Sequence, residues 1–190
     1  MSKIDEQMIE ILKEAEGKYK AGEFVKTEVK KLTPETWEKF GNIVEIPTKN
    51  PVVSLPFGGY WNRVVGYEPE GGVADIGVAT FSYRDALLPL LERHHGTEIT
   101  VPIDGDMIIA VAPPKDLDNP QARVDPKEVE VFYVRQNQTF IMNPGVWHWA
   151  PWSLSGSVSM LVFLPKDTVH KDVQLTTLDK AVTFDLRPPE

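Results

Sequence analysis

The stretch LLERHHGTEITVPIDG concentrates side chains that could bind a metal or move protons. It holds two of the chain's four histidines beside two glutamates. In an extended backbone successive side chains point to opposite faces. Glu92, His94 and Glu98 would therefore share one face, and Arg93 and His95 the other. Two interpretations stay open: converging metal ligands, or a solvated charged turn between two strands.

A second stretch, MNPGVWHWAPW, offers one further imidazole. Its Asn, Pro and Gly are typical of a tight turn, and His148 follows three residues after Gly145. If a β-barrel brings the two stretches together, their imidazoles and carboxylates would suit manganese, iron, nickel or zinc. The alternative is a histidine packed between tryptophans and bonded to a carbonyl. The full ligand set would be His94, His148, Glu92 and Glu98.

The composition limits the number of domains, the class of partner and the residue types that could bind a metal. The chain has 190 residues, 42% of them hydrophobic, which predicts one globular domain with at most a small appendage. The net charge of -8 comes without a basic cluster, which argues against a nucleic-acid partner. There is no cysteine, so any metal must be held by histidines and carboxylates.

No membrane or export signal is visible in the sequence. No segment approaches the roughly 20 apolar residues of a membrane span, and the start, MSKIDEQMIEILKEAE, lacks the apolar core of a signal peptide. We therefore expect a cytoplasmic protein without a membrane partner.

Two helices are predicted before the body of the chain. Residues 3–20 carry apolar side chains at helical spacing with charges between them, which indicates an amphipathic helix that docks on the domain or on a partner subunit. In KLTPETWEKFGN, Thr33 can cap a short helix, Pro34 suits its first position and Gly41 can end the turn. The apolar positions of the first helix are Ile4, Met8, Ile11, Leu12 and Ala15.

The body after these helices reads as all-β. Short β-branched or aromatic runs alternate with Gly, Pro, Asn and Asp, which favours an antiparallel sandwich or barrel. YRDALLPLLERH could form one helical turn before Pro89 or a strand edge. Residues 113–128 are polar and rich in Pro and Asp, and we interpret them as a surface excursion between two strands. The predicted strands are NIVEIP, VVSLPF, GVATFSY, EITVPI, MIIAVAP, EVEVFYV, TFIMNP and VSMLVFL.

Both candidate stretches resemble the motifs of the cupin superfamily. The first cupin motif has the form H-x-H, three or four residues, E, six residues, G. Here Glu92 stands in place of the leading histidine, and His94, Glu98 and Gly105 match the rest. NPGVWHWAPW is similar to the second motif, with Trp152 where that motif has Asn. The resemblance implies a cupin double-stranded β-helix, which is a jelly-roll barrel.

Three segments resemble the ureidoglycolate lyase family, also called ureidoglycolate hydrolases, of allantoin and purine breakdown. They are LTPETWEKFGNIVEIP, LERHHGTEITVPIDGDMIIAVAPP and PGVWHWAPW. The resemblance implies a cupin domain over residues 32–190, a helical extension over 1–31 and a homodimer. PFGGYWNRVVGYEPEGGVADIG departs from the family's usual substrate-side segment, so a related small hydroxy acid is also possible as substrate.

The resemblance also implies roles for individual residues. A divalent metal, namely nickel, manganese, iron or zinc, would be held by His94, Glu98 and His148, with Glu92 a fourth ligand or the general base. It would bind a small-molecule carboxylate substrate, ureidoglycolate, and help to split it into glyoxylate and urea.

Two further roles depend on proton transfer and on anion binding. His95 could protonate the departing urea, or it could be an exposed turn histidine. Arg63 is our candidate to clamp the substrate carboxylate, with Arg84 and Arg93 as alternatives. Other functions also stay open: a cupin sugar isomerase, a decarboxylase, or a cupin that binds a small ligand without catalysis.

Overall fold

The computed structural model is built from short strands in two large sheets and a small one. It describes residues 9–11, 13–14, 17, 20, 22–45, 47, 49–62 and 64–190. The strands are β1 Phe24–Lys26, β2 Val29–Lys31, β3 Gly41–Ile43, β4 Val53–Leu55, β5 Gly58–Tyr60, β6 Ala74–Ser82, β7 Leu87–Arg93, β8 Glu98–Pro102, β9 Met107–Ala112, β10 Glu130–Val134, β11 Phe140–Met142, β12 Trp147–His148, β13 Trp152–Ser153, β14 Ser157–Pro165 and β15 Gln174–Thr183.

The two large sheets form the sandwich that the sequence predicts. The first follows the order β1-β15-β7-β12-β9-β10-β2, with β13 also paired to β9, and the second follows β3-β11-β8-β14-β6. Apart from the parallel edge strands β1 and β2, the pairs in both sheets are antiparallel. This mostly antiparallel, two-sheet arrangement is a jelly roll, so the all-β prediction is confirmed.

The side chains of strand β9 are divided between two hydrophobic clusters. Every residue of β9 is buried, because the strand is covered on both faces. Met107 and Ile109 join the cluster between the sheets, whereas Ile108 and Ala110 join a second cluster outside the first sheet. The core is therefore split between the inside of the barrel and one covered outer face.

YRDALLPLLERH forms a strand rather than a helical turn. Its pairing with β15 is regular except for a register shift between Thr177 and Val182, opposite Pro89. Proline has no backbone N–H to donate, so a bulge is where a paired strand tolerates it. Because the irregularity accommodates Pro89, β7 stays extended through Glu92 and Arg93.

The short helix α1, Pro34–Trp37, begins as the sequence predicts. Thr33 and Thr36 form a reciprocal capping box at its start. It buries Trp37 completely against Phe132 and Phe140 and bonds the indole Nε1 to the Ile141 carbonyl at 3.0 Å. The other α-helix described in full, α2, is Thr168–Lys171.

Gly41, the first residue of β3, leaves no room for a side chain. Its φ is +152°, and a Cβ there would lie 1.9 Å from the Ile141 carbonyl oxygen. We expect Gly41→Ala to lower the free energy of unfolding by about 3 kcal/mol, since β3 would have to move off β11. Urea denaturation would measure this, with Gly66→Ala, which meets nothing within 4 Å, as the control. Equal midpoints would contradict the steric reason.

The N-terminal segment is helical wherever it is described. Residues 9–11, 13–14, 17 and 20 are in helix, and Ile11 lines a surface cleft with Leu90 and Leu175 of the first sheet. The predicted apolar positions at Ile4, Met8, Leu12 and Ala15 lie outside the described residues. No helix in the described part of the chain is long and apolar enough to cross a membrane.

Residues 24–31 belong to the sheets rather than to a separate extension. β1 pairs with β15 and β2 pairs with β10, so the predicted division between 1–31 and 32–190 falls after two strands of the barrel. The 113–128 segment joins β9 to β10 as predicted, although Ala122 and Val124 within it are buried on the outer cluster.

Candidate metal centre

Three side chains from different elements converge inside one end of the barrel. His94 follows β7, Glu98 begins β8 and His148 ends β12. Glu98 Oε2 lies 3.2 Å from His94 Nε2 and 3.5 Å from His148 Nε2. Their ligand atoms all lie within 4.8 Å of one another, and all three residues are buried. This cluster, which we call the His-Glu-His cluster, could hold a metal ion.

Backbone carbonyls orient both imidazoles. The Nδ1–H of His94 donates to the Gly96 carbonyl at 2.7 Å, and that of His148 donates to the Val146 carbonyl at 2.9 Å. Because a carbonyl only accepts, Nδ1 must carry the proton in each ring. The Nε2 atoms then face the cluster, as is usual for metal-binding histidines.

The charges of the cluster are strongly coupled. Burial alone would raise the pKa of Glu98, but hydrogen bonds to His148 and His94 and their charges outweigh it and hold that pKa well below its usual range. Burial alone would lower the pKa of His148, but Glu98 and then Glu92 raise it to about 9. The cluster is therefore built to keep a carboxylate ionised in a buried place.

Thr100 supports the cluster from behind. Its buried hydroxyl donates to Glu98 Oε1 at 2.7 Å, which leaves Oε2 toward the imidazoles. The sequence interpretation did not single out Thr100. The alternation of side chains along a strand could have indicated it, because Thr100 is two residues beyond Glu98 in β8 and so lies on the same face.

We expect Thr100→Val to weaken metal binding by about 10- to 100-fold, since partners that orient a ligand contribute that much. Competition with a metal-sensitive dye would measure the dissociation constant. Thr80→Val, on the exposed β6, is the matched control and should leave it unchanged. Equal affinities in the two variants would remove Thr100 from the supporting role.

Glu92 lies beside the cluster but not in it. Its Oε1 is 3.9 Å from His148 Nε2, and it lines the same cavity, but it is not one of the converging ligands. Burial raises the pKa of Glu92, with the charge of Glu98 adding to the effect and the histidines opposing it. A carboxyl group with a raised pKa is a better base than an exposed one. Glu92 stays a candidate for the general base or for a fourth ligand.

His95, in the bend after β7, points away from the cluster toward Asp172. Its Nδ1 lies 2.5 Å from Asp172 Oδ1, its backbone N–H donates to the same carboxylate, and the side chain is half exposed. His95 is not one of the described residues that line the cavity. Its predicted role as a proton donor stays a prediction that none of these contacts supports.

Two of the three candidate arginines, Arg84 and Arg93, are bonded to other parts of the fold. Arg84 donates to the carbonyls of Ala150 and Pro151 and stacks over Trp152. Arg93 is almost fully buried, stacks over Trp147, and donates to Gln174 and to backbone carbonyls of the 113–128 segment. Both therefore hold the fold together. Arg63 lies outside the described residues.

A cavity of about 420 Å³ opens in front of the cluster. Glu92, Glu98, Thr100 and His148 are among its polar lining residues. Of the three tryptophans close to His148 in the sequence, Trp149 lines the cavity, whereas Trp147 and Trp152 are fully buried in the outer cluster. The cavity gives a small molecule access to the His-Glu-His cluster.

The jelly roll and a buried His-Glu-His cluster at the end of its barrel define a protein of the cupin superfamily. A family model described as ureidoglycolate lyase matches residues 25–185. The chain belongs to this family of enzymes. No curated protein matches the chain.

Three solved structures to which the chain is similar are distant from it in sequence. A 3'-monoepimerase from Streptomyces bikiniensis, in complex with dTDP, is 23% identical, with a TM-score of 0.33 over 48% of this chain and 45% of that one. A 3,5-epimerase from Legionella pneumophila is 10% identical, with a TM-score of 0.31 over 57% and 52%. The chain thus spans about half the length of these two. A dTDP-4-dehydrorhamnose 3,5-epimerase from Elizabethkingia anophelis is 11% identical, with a TM-score of 0.39 over 80% and 88%. Nothing about this chain's activity follows from such likenesses.

Proposed function

We propose that this protein is a metal-dependent lyase that splits ureidoglycolate, or a closely related 2-hydroxy acid, into glyoxylate and urea or the corresponding amide. One observation supports this most: two imidazoles and a carboxylate converge within 4.8 Å at the buried end of a cavity, in a member of the ureidoglycolate lyase family.

The residues of the cluster fit a divalent metal. His94 and His148 have their Nδ1 atoms bonded to backbone carbonyls, and their Nε2 atoms face Glu98 Oε2 while Thr100 holds Oε1. A metal ion would take the place of the protons between the Nε2 atoms and Oε2. Two imidazoles with one carboxylate suit iron, manganese, nickel or zinc. When bound, such an ion would chelate the substrate's carboxylate and hydroxyl oxygens and make the hydroxyl more acidic.

Glu92 would then move the proton. Its carboxylate lines the cavity next to His148, and Glu92 is not one of the three converging ligands. From there it can accept the hydroxyl proton as the C–N bond breaks and return that proton to the departing nitrogen. One residue thus serves as base and then as acid, and the reaction needs no proton from His95.

Burial of the cluster protects this chemistry. His94, Glu98 and His148 are each less than a tenth exposed, which keeps bulk water from competing for the polar groups and strengthens their electrostatic interactions. Arg63, which lies outside the described residues, stays our candidate for a second contact to the substrate carboxylate.

Urea and glyoxylate release from ureidoglycolate tests the activity. We expect both products in equal amounts from protein loaded with manganese, nickel, iron or zinc, and neither after treatment with a chelator. Absence of turnover with every one of these metals would reject ureidoglycolate as substrate.

We also propose that the protein is a homodimer formed through β6. This nine-residue strand ends the second sheet and, within the described residues, pairs with β14 alone. Its outward side chain Ile76 is 67% exposed, next to Phe163 of β14. An unpaired edge with an apolar face is a template for a second chain, and a second copy supplies the same strand.

We expect Ile76→Lys to convert the dimer to a monomer in size-exclusion chromatography with light scattering, because it places a charge at that interface. Val52→Lys, at an apolar position of similar exposure (69%) just before β4, should leave the dimer intact. A monomeric unmodified protein, or an intact Ile76→Lys dimer, would contradict this interface.

A further inference from the structure

The cavity is larger than a substrate with only a few carbons needs. At about 420 Å³, it falls in the range of roughly 300–1,000 Å³ that is typical of sites for drug-sized ligands. Its polar lining residues are Glu92, Glu98, Thr100 and His148 at the His-Glu-His cluster and, elsewhere, Asp75, Asp167, Thr168 and His170. The rest of the cavity has room for a further part of the substrate.

That remaining space has an apolar wall. Met160, Val162 and Leu164, at alternate positions of β14, face the cavity. Phe81 and Ile109 extend the same wall from β6 and β9. An apolar wall of this extent stabilises a ligand by taking apolar surface out of water, and a urea group offers little such surface.

Small residues on β6 keep this space open. Gly77 lies opposite Val162, and Ala79 lies opposite Met160. A Cβ on Gly77 would meet nothing nearer than the Val162 carbonyl oxygen at 3.8 Å. A larger side chain at position 77 would therefore enter the cavity without straining the backbone.

The charges of the lining argue against a second anionic group on the substrate. Asp75 and Asp167 lie in the lining in addition to Glu92 and Glu98, and the described lining residues include no lysine or arginine. The only anion that such a site can hold is the one that faces the metal centre.

We propose that the substrate is a 2-hydroxyglycine whose nitrogen carries an apolar acyl group. Its carboxylate and hydroxyl would face the His-Glu-His cluster, and the acyl group would lie against Val162 and Leu164. The proposal rests on the proposed lyase function. Glu92 takes the hydroxyl proton, the C–N bond breaks as the carbonyl of glyoxylate forms, and the nitrogen receives the proton and leaves as an amide. No oxidant or other reactant is needed.

Binding of two unreactive analogues tests the substrate class by calorimetry on the manganese-loaded protein. N-benzoylglycine carries an apolar acyl group, N-carbamoylglycine carries the urea group, and both lack the hydroxyl. We expect the benzoyl compound to bind at least about tenfold more tightly. Equal affinities, or tighter binding of the carbamoyl compound, would overturn the proposal.

Filling the cavity should remove this preference. Gly77→Leu should abolish the difference between the two analogues, and Ser82→Leu, on the opposite face of the same strand, should keep it. Circular dichroism verifies folding, and Ala79→Leu replaces Gly77→Leu if the latter does not fold. A preference that survives the cavity-filling variant would place the acyl group elsewhere and overturn the proposal.

Measuring turnover of both compounds distinguishes a failure of this proposal from a failure of the proposed lyase function. We expect glyoxylate and benzamide from N-benzoyl-2-hydroxyglycine with a kcat/KM at least about tenfold above that for ureidoglycolate. If neither compound is cleaved while the benzoyl analogue still binds selectively, the lyase function fails and the ligand class stands. If ureidoglycolate is cleaved more efficiently and the analogues bind equally, the lyase function stands and the apolar acyl group is rejected.

Discussion

His148→Ala should leave a folded protein that no longer retains a metal ion. The substitution removes one of the two imidazoles of the His-Glu-His cluster, so we expect the affinity to fall by more than the roughly 100-fold that is the upper end of the loss for a supporting partner. Elemental analysis after dialysis would measure the bound metal. His94→Ala should give the same result, because the Nε2 of His94 also faces Glu98 Oε2, at 3.2 Å.

His170→Ala is the matched control for both variants. His170 lies at the exposed rim of the same cavity, and its loss should leave the metal content unchanged. Metal retained by His148→Ala or by His94→Ala at the level of this control would remove that histidine from the ligand set.

Glu92→Gln should retain the metal and lose most of the activity. The amide preserves the shape of the side chain but cannot accept the hydroxyl proton. We expect kcat to fall by roughly 10²- to 10⁴-fold, the usual contribution of a positioned base. Steady-state assays with metal analysis of the same preparations would measure both properties.

Two comparisons make this result specific. Asp75→Asn changes another carboxylate of the cavity and should lower kcat only slightly. Glu98→Gln should lose metal and activity together, because Glu98 is a converging ligand. Loss of metal from Glu92→Gln would instead make Glu92 a fourth ligand, and full activity would exclude it as the base.

Strand parity carried much of the information in the sequence about the site. The meeting of His94 with Glu98 depends on the turn at residues 94–97 and on how β8 returns from it. Alternation within β7, however, separates Glu92 from Arg93, and within β8 it places Thr100 on the face of Glu98. These are local properties of an extended backbone, which is why the sequence reveals them.

Other features depend on contacts between distant segments. Arg93 is buried because it bonds to carbonyls of the 113–128 segment and stacks over Trp147. The residues next to Arg93 in the sequence do not indicate these contacts. The strand around Pro89 was ambiguous because its bulge requires β15 opposite. The edge strands β1 and β2 were missed because three residues are too few for a periodic pattern.

Glyoxylate release from ureidoglycolate, measured while metal-free protein is titrated with manganese, tests the central claim most directly. We expect no product in the presence of a chelator, a rise in rate with added metal, and a plateau at a single ion per chain. His148→Ala should give no such plateau. Turnover that is indifferent to the chelator, or that is equal in His148→Ala, would contradict a metal-dependent lyase built on His94, Glu98 and His148.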